Sequence, residues 1–326
     1  MSTLVRILLG LLVSAMLAGT VSAQTWPTRP VTMVVPFAAG SSSDTAARII
    51  SVGMSELLGQ QVIVENVGGA AGLTGTQRIA RAAPDGYQLL FATVDTMAIV
   101  PAIQKKPPYD SINDFVPAGL AVEQPVVLIG RKDLPASTLP EFVTYAKANH
   151  KKMQFGSAGV GSGSHFSCAK LNIALGIDPI HVPYRSSGLA AQDLMGGRLD
   201  FLCALGGTAM GPVQSGQAKA IGLLTAERSP LFPTLRTSTE EGLVGVDSYF
   251  WSGFLFPKDT PAAIVQKLAD ASNKTLNMPE TVERLRNAGI EPVAADRRSP
   301  AYQRDLTVQE MKNWANQVKA SGLPLQ

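Results

Sequence analysis

A continuous apolar run at residues 31–37, rich in β-branched side chains, passes directly into Ala38-Ala39-Gly40-Ser41-Ser42-Ser43-Asp44 and then into the helix-compatible stretch 45–58. A buried strand, a loop of small residues and a helix are the simplest structure for such a succession. The pattern continues with strands at 61–65 and 87–93. A Gly68-Gly69-Ala70-Ala71-Gly72 turn, a helix over 74–82 and a Pro84-Asp85-Gly86 turn separate them. Parallel strands need crossovers about a helix long, so this spacing argues for a layered α/β domain with mainly parallel strands.

From residue 116 to 130 there is no convincing helix, and residues 118–129 are predicted extended, their middle crossing between lobes. A second α/β series follows. Thr138 caps a helix over 139–149, with Glu141 completing a capping box. A strand at 153–157 runs into the small-residue loop 156–165 and a helix ending at Leu175. Strands are expected at 180–183, 201–205 and 220–225, with a helix at 187–195. The tail adds an extended stretch at 251–256, helices at 262–275 and 279–288, and a final helix. Tyr302, Leu306, Met311, Trp314 and Val318 give that last helix an apolar ridge for core packing, and it is assigned to the first lobe because a tail returning across the boundary makes two hinge strands.

The first 23 residues match a secretory signal: Arg6, an apolar stretch too short to span a bilayer comfortably, and a Val21-Ser22-Ala23 exit. Cleavage after Ala23 leaves about 300 residues, enough for two ordinary lobes. Twenty-eight basic and 25 acidic residues give a net charge of +3 and are scattered, which excludes a nucleic-acid footprint. The two cysteines, Cys168 and Cys203, both sit in apolar stretches. Export permits a disulfide without requiring one, so a bridge and two buried thiols both stay open.

Chemistry concentrates in the two small-residue loops, 40–44 and 156–165. Each lies at the carboxyl end of a strand and the start of a helix, where open α/β sheets place ligands. Loops without bulk let backbone N–H groups approach an anion, and the helix terminus adds donors and a favourable dipole. Hydroxyls of Ser41, Ser42, Ser43, Ser157, Ser162 and Ser164 add donors without a fixed counter-charge, an arrangement suited to holding a carboxylate reversibly. Asp44 suits a helix cap, a ligand contact or a loop fastener, and His165 a donor to an anion or a structural bond to its loop. The chain carries no HExxH, CxxC, P-loop, GxGxxG or GxSxG pattern.

An ordered set of short motifs then sets the family. They are Trp26-Pro27-Thr28-Arg29-Pro30-Val31; Val35-Pro36-Phe37-Ala38-Ala39-Gly40 with Asp44 and Arg48; Val64-Glu65-Asn66 before the glycine turn; and Ala83-Pro84-Asp85-Gly86-Tyr87. Tyr109-Asp110 with Asn113-Asp114-Phe115, the 156–162 loop, His181-Val182-Pro183-Tyr184, and Pro257 with Thr260-Pro261 complete it. Over nearly its full length the chain resembles the tripartite tricarboxylate transporter receptors, or Bug extracytoplasmic solute receptors. The resemblance implies a periplasmic, monomeric α/β binding protein of type II-like architecture, without cofactor or metal. Its first lobe would comprise residues 24–122 and 227–326 and its second 123–226, crossing at 121–124 and 224–227. A small organic carboxylate would sit in the cleft for delivery to the membrane components of such a transporter.

By the same resemblance, the ligand meets Phe37, Ala38, Ala39, Gly40, Ser41, Ser42, Ser43 and Asp44 on one side. Ser157, Ala158, Gly159, Val160, Ser162 and His165 face it on the other. Thr93 and Asp95 join from another first-lobe strand, and Tyr184, Arg185, Ser186, Ser187, Leu205, Gly206 and Gly207 from the second lobe. The chain departs from the family at Gly40-Ser41, where paired glycines are common, and at Arg185-Ser186, where lysine and glycine are. Arg185 is therefore a candidate for reading a second acidic group, or for a surface or cross-lobe structural role. Two other classes fit the serine-rich cleft: an exported hydrolase using a loop serine with His165 or His181, and a carboxylate-sensing signalling receptor.

Overall fold

The computed structural model describes residues 26–321, so the signal-peptide expectation lies outside the described residues. The chain opens with β1 (Val31–Val35), α1 (Ser42–Leu58), β2 (Val62–Asn66), α2 (Leu73–Ala80) and β3 (Gln88–Thr93). β1 pairs in parallel with β2 on one side and β3 on the other. Flanked on both edges and covered on both faces, it is the continuous apolar run that the sequence shows. Beyond β3 come a π-helical turn (Asp95–Ile99) and α3 (Val100–Ile103), a segment the sequence reading left unassigned.

β4 (Phe115–Arg131) is one 17-residue strand shared by both halves of the molecule. Residues 115–125 pair antiparallel with β9 (Tyr249–Pro257), and residues 126–130 pair with β7 (Phe201–Leu205). The partner changes between Pro125 and Val126. β10 (Glu291–Pro292) pairs β4 opposite β9, and β8 (Ala218–Leu223) pairs it opposite β7. The second half adds α4 (Leu139–Asn149), β5 (Gln154–Ser157), α5 (Gly163–Leu175), β6 (Ile180–Pro183), α6 (Ser187–Met195) and α7 (Gly206–Gln214). The sheet order is β2-β1-β3-β9-β4-β7-β5-β6. Parallel triplets therefore sit at both ends, and the antiparallel middle makes the sheet mixed.

Three hydrophobic clusters fill this frame. One packs β1, β3 and α1 against the helices α8 (Ala262–Thr275) and α9 (Pro279–Asn287). A second packs the outer face of the β7–β8 half. The third runs across the crossing and joins Leu120 and Leu255 to Leu128, Phe155 and Phe201. Phe232 and the partly buried Leu231 and Leu235 belong with Val127, Ile129 and Leu223. Farther along the same stretch, Val246 and the partly buried Leu243 pack in the cluster that runs across the crossing. The chain rejoins the β9 ladder at Tyr249.

α10 (Pro300–Ser321) lies along β4 and buries Trp314 and Val318. Its inward face also carries Gln303 and Thr307, so Tyr302 is left exposed, unlike the expected ridge. The reason lies in β4, which bulges at Gly119 with φ near +120°. A Cβ there would run into the Arg298 carbonyl, and the freed Gly119 N–H donates to Gln303 Oε1 at 2.8 Å. The expected capping box forms in altered register: Thr138 accepts from Glu141 N–H, while Glu141 Oε2 accepts from Ser137 N–H at 2.7 Å.

Cys168 of α5 and Cys203 of β7 form a disulfide, both fully buried, which settles the open alternative. It closes a loop with a sequence separation of 35. Replacing both cysteines by alanine is expected to lower unfolding free energy by roughly 3–4 kcal/mol through the freed unfolded chain. Urea titration checks this; an unchanged midpoint would assign the bridge no thermodynamic role.

Candidate functional site

Helices cannot satisfy their own first-turn N–H groups. Four helices direct those groups at one place. β1 leads through Ser41 into α1, β5 through Ser162 into α5, β6 through Ser186 into α6, and β7 runs directly into α7 at Gly206. Ser41, Ser162 and Ser186 act as N-caps, accepting from Asp44, His165 and Leu189 N–H. β1 runs opposite to β5, β6 and β7 across the antiparallel middle of the sheet, and the loops that follow the strands of the two halves meet at a small cavity of approximately 30 Å³. Ser41, Ser42 and Ser43 wall one side over Phe37. Ala158, Ser164, Ser187 and Leu205 wall the other, and Asp95 enters from the end of β3. Among the described residues no lysine or arginine lines it, so the helix N-termini are the groups there that favour an anion.

The halves touch around this cavity. Gln124 Oε1 accepts from Ser42 Oγ of α1 and, at 3.0 Å, from Gly207 N–H of α7. Asp95 Oδ1 accepts from Gly163 N–H at the start of α5. Glycines bring backbone to backbone: a Cβ on Gly188 would meet the Gly40 carbonyl, and one on Gly206 the Gly289 carbonyl.

Other expected residues shape the loops. Asp44 Oδ2 accepts from Gly40 N–H, and its Oδ1 from Asn66 Nδ2 and Arg48, each at 2.9 Å, so it fastens the loop instead of facing the cavity. Thr93 and Thr96 cap one another. Ser157 Oγ bonds His181 Nε2 at 2.7 Å and Gly159, turning from the cavity. His165 Nδ1 accepts from Gly161 N–H at 3.3 Å. Tyr184 donates to Asp193 at 2.7 Å along α6. Arg185 and Val160 are exposed, as are Ala39 and Gly40, and Arg185 forms no part of the wall.

Ser164 was named as a loop donor but not carried into the expected ligand set. It lines the cavity and accepts from Ala158 N–H at 3.0 Å. Gln124 went unnoticed as well, although a buried amide inside the apolar run of β4 is the kind of polar residue whose burial requires partners.

Behind the second loop, the His165 and His181 rings stack with centroids 4.2 Å apart, and Phe155 lies 4.8 Å from His181. Burial pushes both imidazoles down, His181 to about 4 with help from His165, so the pair is neutral at pH 7. No metal-ligand cluster occurs among the described residues.

Two α/β halves on shared central strands, enclosing a donor-lined cavity, define a two-lobed solute-binding protein of type II-like architecture. The chain belongs to the tripartite tricarboxylate transporter receptor family, a group of periplasmic solute-binding proteins: the family model matches residues 46–323. A protein of the TAR-I ttuE-ttuC' intergenic region of Agrobacterium vitis is 37% identical over 318 residues, 97% of this chain and 92% of its own. The structure of the periplasmic binding protein BugD superposes with a TM-score of 0.89 at 35% identity, covering 92% of this chain and all of that one. MatC from Rhodopseudomonas palustris, with bound malate, gives 0.85 at 36% identity, covering 89% and 99%. The chain is thus a solute-binding protein and not an enzyme.

Two outcomes follow from this geometry. Gly188→Ala and Gly206→Ala are each expected to hold the halves apart and enlarge the radius of gyration in small-angle scattering. Gly211→Ala, on the same helix as Gly206 but facing open space, should leave it unchanged. Overpacking of this kind costs about 1–3 kcal/mol. His181 binds a proton more weakly folded than unfolded, so stability falls as pH drops from about 6.5 toward about 4. Urea midpoints at pH 7 and pH 5 should differ less in His181→Gln.

Proposed function

We propose that this protein captures a small organic carboxylate in the cavity and delivers it to the membrane components of a tripartite tricarboxylate transporter. The observation carrying this is the convergence of four helix N-termini on a buried, serine-walled cavity without a cationic side chain. Such a wall stabilises a carboxylate through many individually modest donors, so release stays fast. The malate held by MatC is a ligand of this class.

A cavity of approximately 30 Å³ has room for about one water, so the ligand enters with the halves apart and closure follows. We place the hinge where β4 changes partner at Pro125–Val126 and where the return segment joins β9 at Ser248–Tyr249. In this scheme the described residues 26–125 with 249–321 form the first lobe, and 126–248 the second. A ligand touching both lobes has more contacts when they close, which shifts the population toward closed.

Calorimetry with a panel of mono- and dicarboxylates should give saturable binding, a smaller scattering radius with ligand, and full recovery of the ligand unchanged by mass spectrometry. At a hundredfold excess over Kd the ligand should add about 2.7 kcal/mol to stability. Saturable binding of uncharged sugars or amides, with no acid bound, would overturn the assignment.

A further inference from the structure

Asp95 is out of place in a site for anions. It is 5% exposed, lines the cavity beside Ser42 and Ser164, and holds the only carboxylate in the wall. Its position is fixed: Oδ1 accepts from Gly163 N–H, and its own backbone N–H and the Thr93 hydroxyl also donate to the carboxyl. A Cβ on Gly163 would collide with Phe250 and crowd this carboxyl, so the glycine keeps it seated. Burial raises the Asp95 pKa, with the three donors opposing that shift.

A bound carboxylate shares this desolvated space with Asp95, and no lysine or arginine side chain in the wall screens the two. Like charges a few ångströms apart in a water-poor site repel strongly unless a proton lies between them. A ligand can bring that proton as a hydroxyl or an ammonium on the carbon beside its carboxylate. A ligand without one must bind against the repulsion or force a proton onto Asp95.

Building on the carboxylate-receptor reading, we infer that Asp95 is the specificity-determining residue of the site: it accepts a hydrogen bond from a 2-hydroxyl or 2-ammonium group and disfavours acids that lack one. The preferred ligands are then 2-hydroxy or 2-amino acids. A wall built to bond a ligand donor rejects analogues missing it far more strongly than an apolar wall rejects a missing methylene.

Matched acids test this by calorimetry: lactate against propionate, malate against succinate, 2-hydroxyglutarate against glutarate, and aspartate as the ammonium counterpart of malate. The natural protein should bind the donor-bearing member of its best-fitting set at least ~10-fold tighter. Asp95→Asn keeps the shape and an oxygen for Gly163 N–H but removes the charge. It should shrink that ratio to about threefold or less, chiefly by tightening the unsubstituted acid. Thr93→Val, which withdraws one donor from Asp95, should shrink it in the same direction and provides the second test if Asp95→Asn does not fold. Equal affinity for both members of a pair in the natural protein, or a ratio unchanged in the variants, would overturn the role of Asp95 and leave the carboxylate receptor standing. Binding of none of these acids, beside saturable binding of an uncharged solute, would overturn both.

Discussion

Backbone amides at a helix start have no acceptor within their own helix, and the architecture gathers four such starts into one small volume. The serine caps, the Asp44 fastener and the Gln124 bridge all answer to that concentration of unmet donors. Ser41, Ser162 and Ser186 each take one of these N–H groups. Gln124 and Asp95 take two more from across the divide. The donors left over are what the proposed carboxylate would meet. A lysine or arginine would supply the same sign with a longer, more mobile side chain. Helix ends supply it in a fixed direction, at no cost in side-chain entropy.

The shared strand makes this gathering possible. β4 belongs to two ladders, so one backbone sets the position of β9 and β3 on one side of the crossing and of β7 and β5 on the other. α10 clamps it from outside through Gln303 at the Gly119 bulge, and Trp314 of that helix reaches Phe166 of α5 at 5.5 Å between ring centroids. Local rigidity within each half and freedom at the partner change are therefore compatible. In the proposed hinge, the ladder bonds within each half would stay intact while a few backbone dihedrals turn at the crossing.

The sequence was most legible where local chemistry and tertiary structure ask for the same thing. The runs ending at Phe37 and Ser157 are buried strands, and the small residues after them are helix starts, so both loops and most of the cavity wall could be read directly. Legibility failed where a residue answers to something distant. Gln124 sits inside an apolar strand, and the donors to its side-chain oxygen come from helices starting at residues 42 and 206. Residues 227–247 carry scattered apolar side chains, and the surfaces on which Phe232 and Val246 pack are built from residues far away in the chain. Tyr302 fitted the apolar period, yet Gln303 holds the inward position because a strand bulge 184 residues away offers it an amide. Arg185 drew notice by its charge, which says nothing about direction, and it faces solvent.

Where the two halves meet through Gly40 and Gly188, and through Gly206 and Gly289, the touching atoms are peptide carbonyls and α-carbons. Those atoms are the same whatever residues surround them. The contact between the halves is thereby separated from the side chains of the wall. Substitutions among the wall side chains can exchange one solute for another without refitting the surfaces that shut. A lineage of such receptors can diversify its diet by small steps while its mechanics stay inherited, and the glycines at the seam are the positions at which drift is least free.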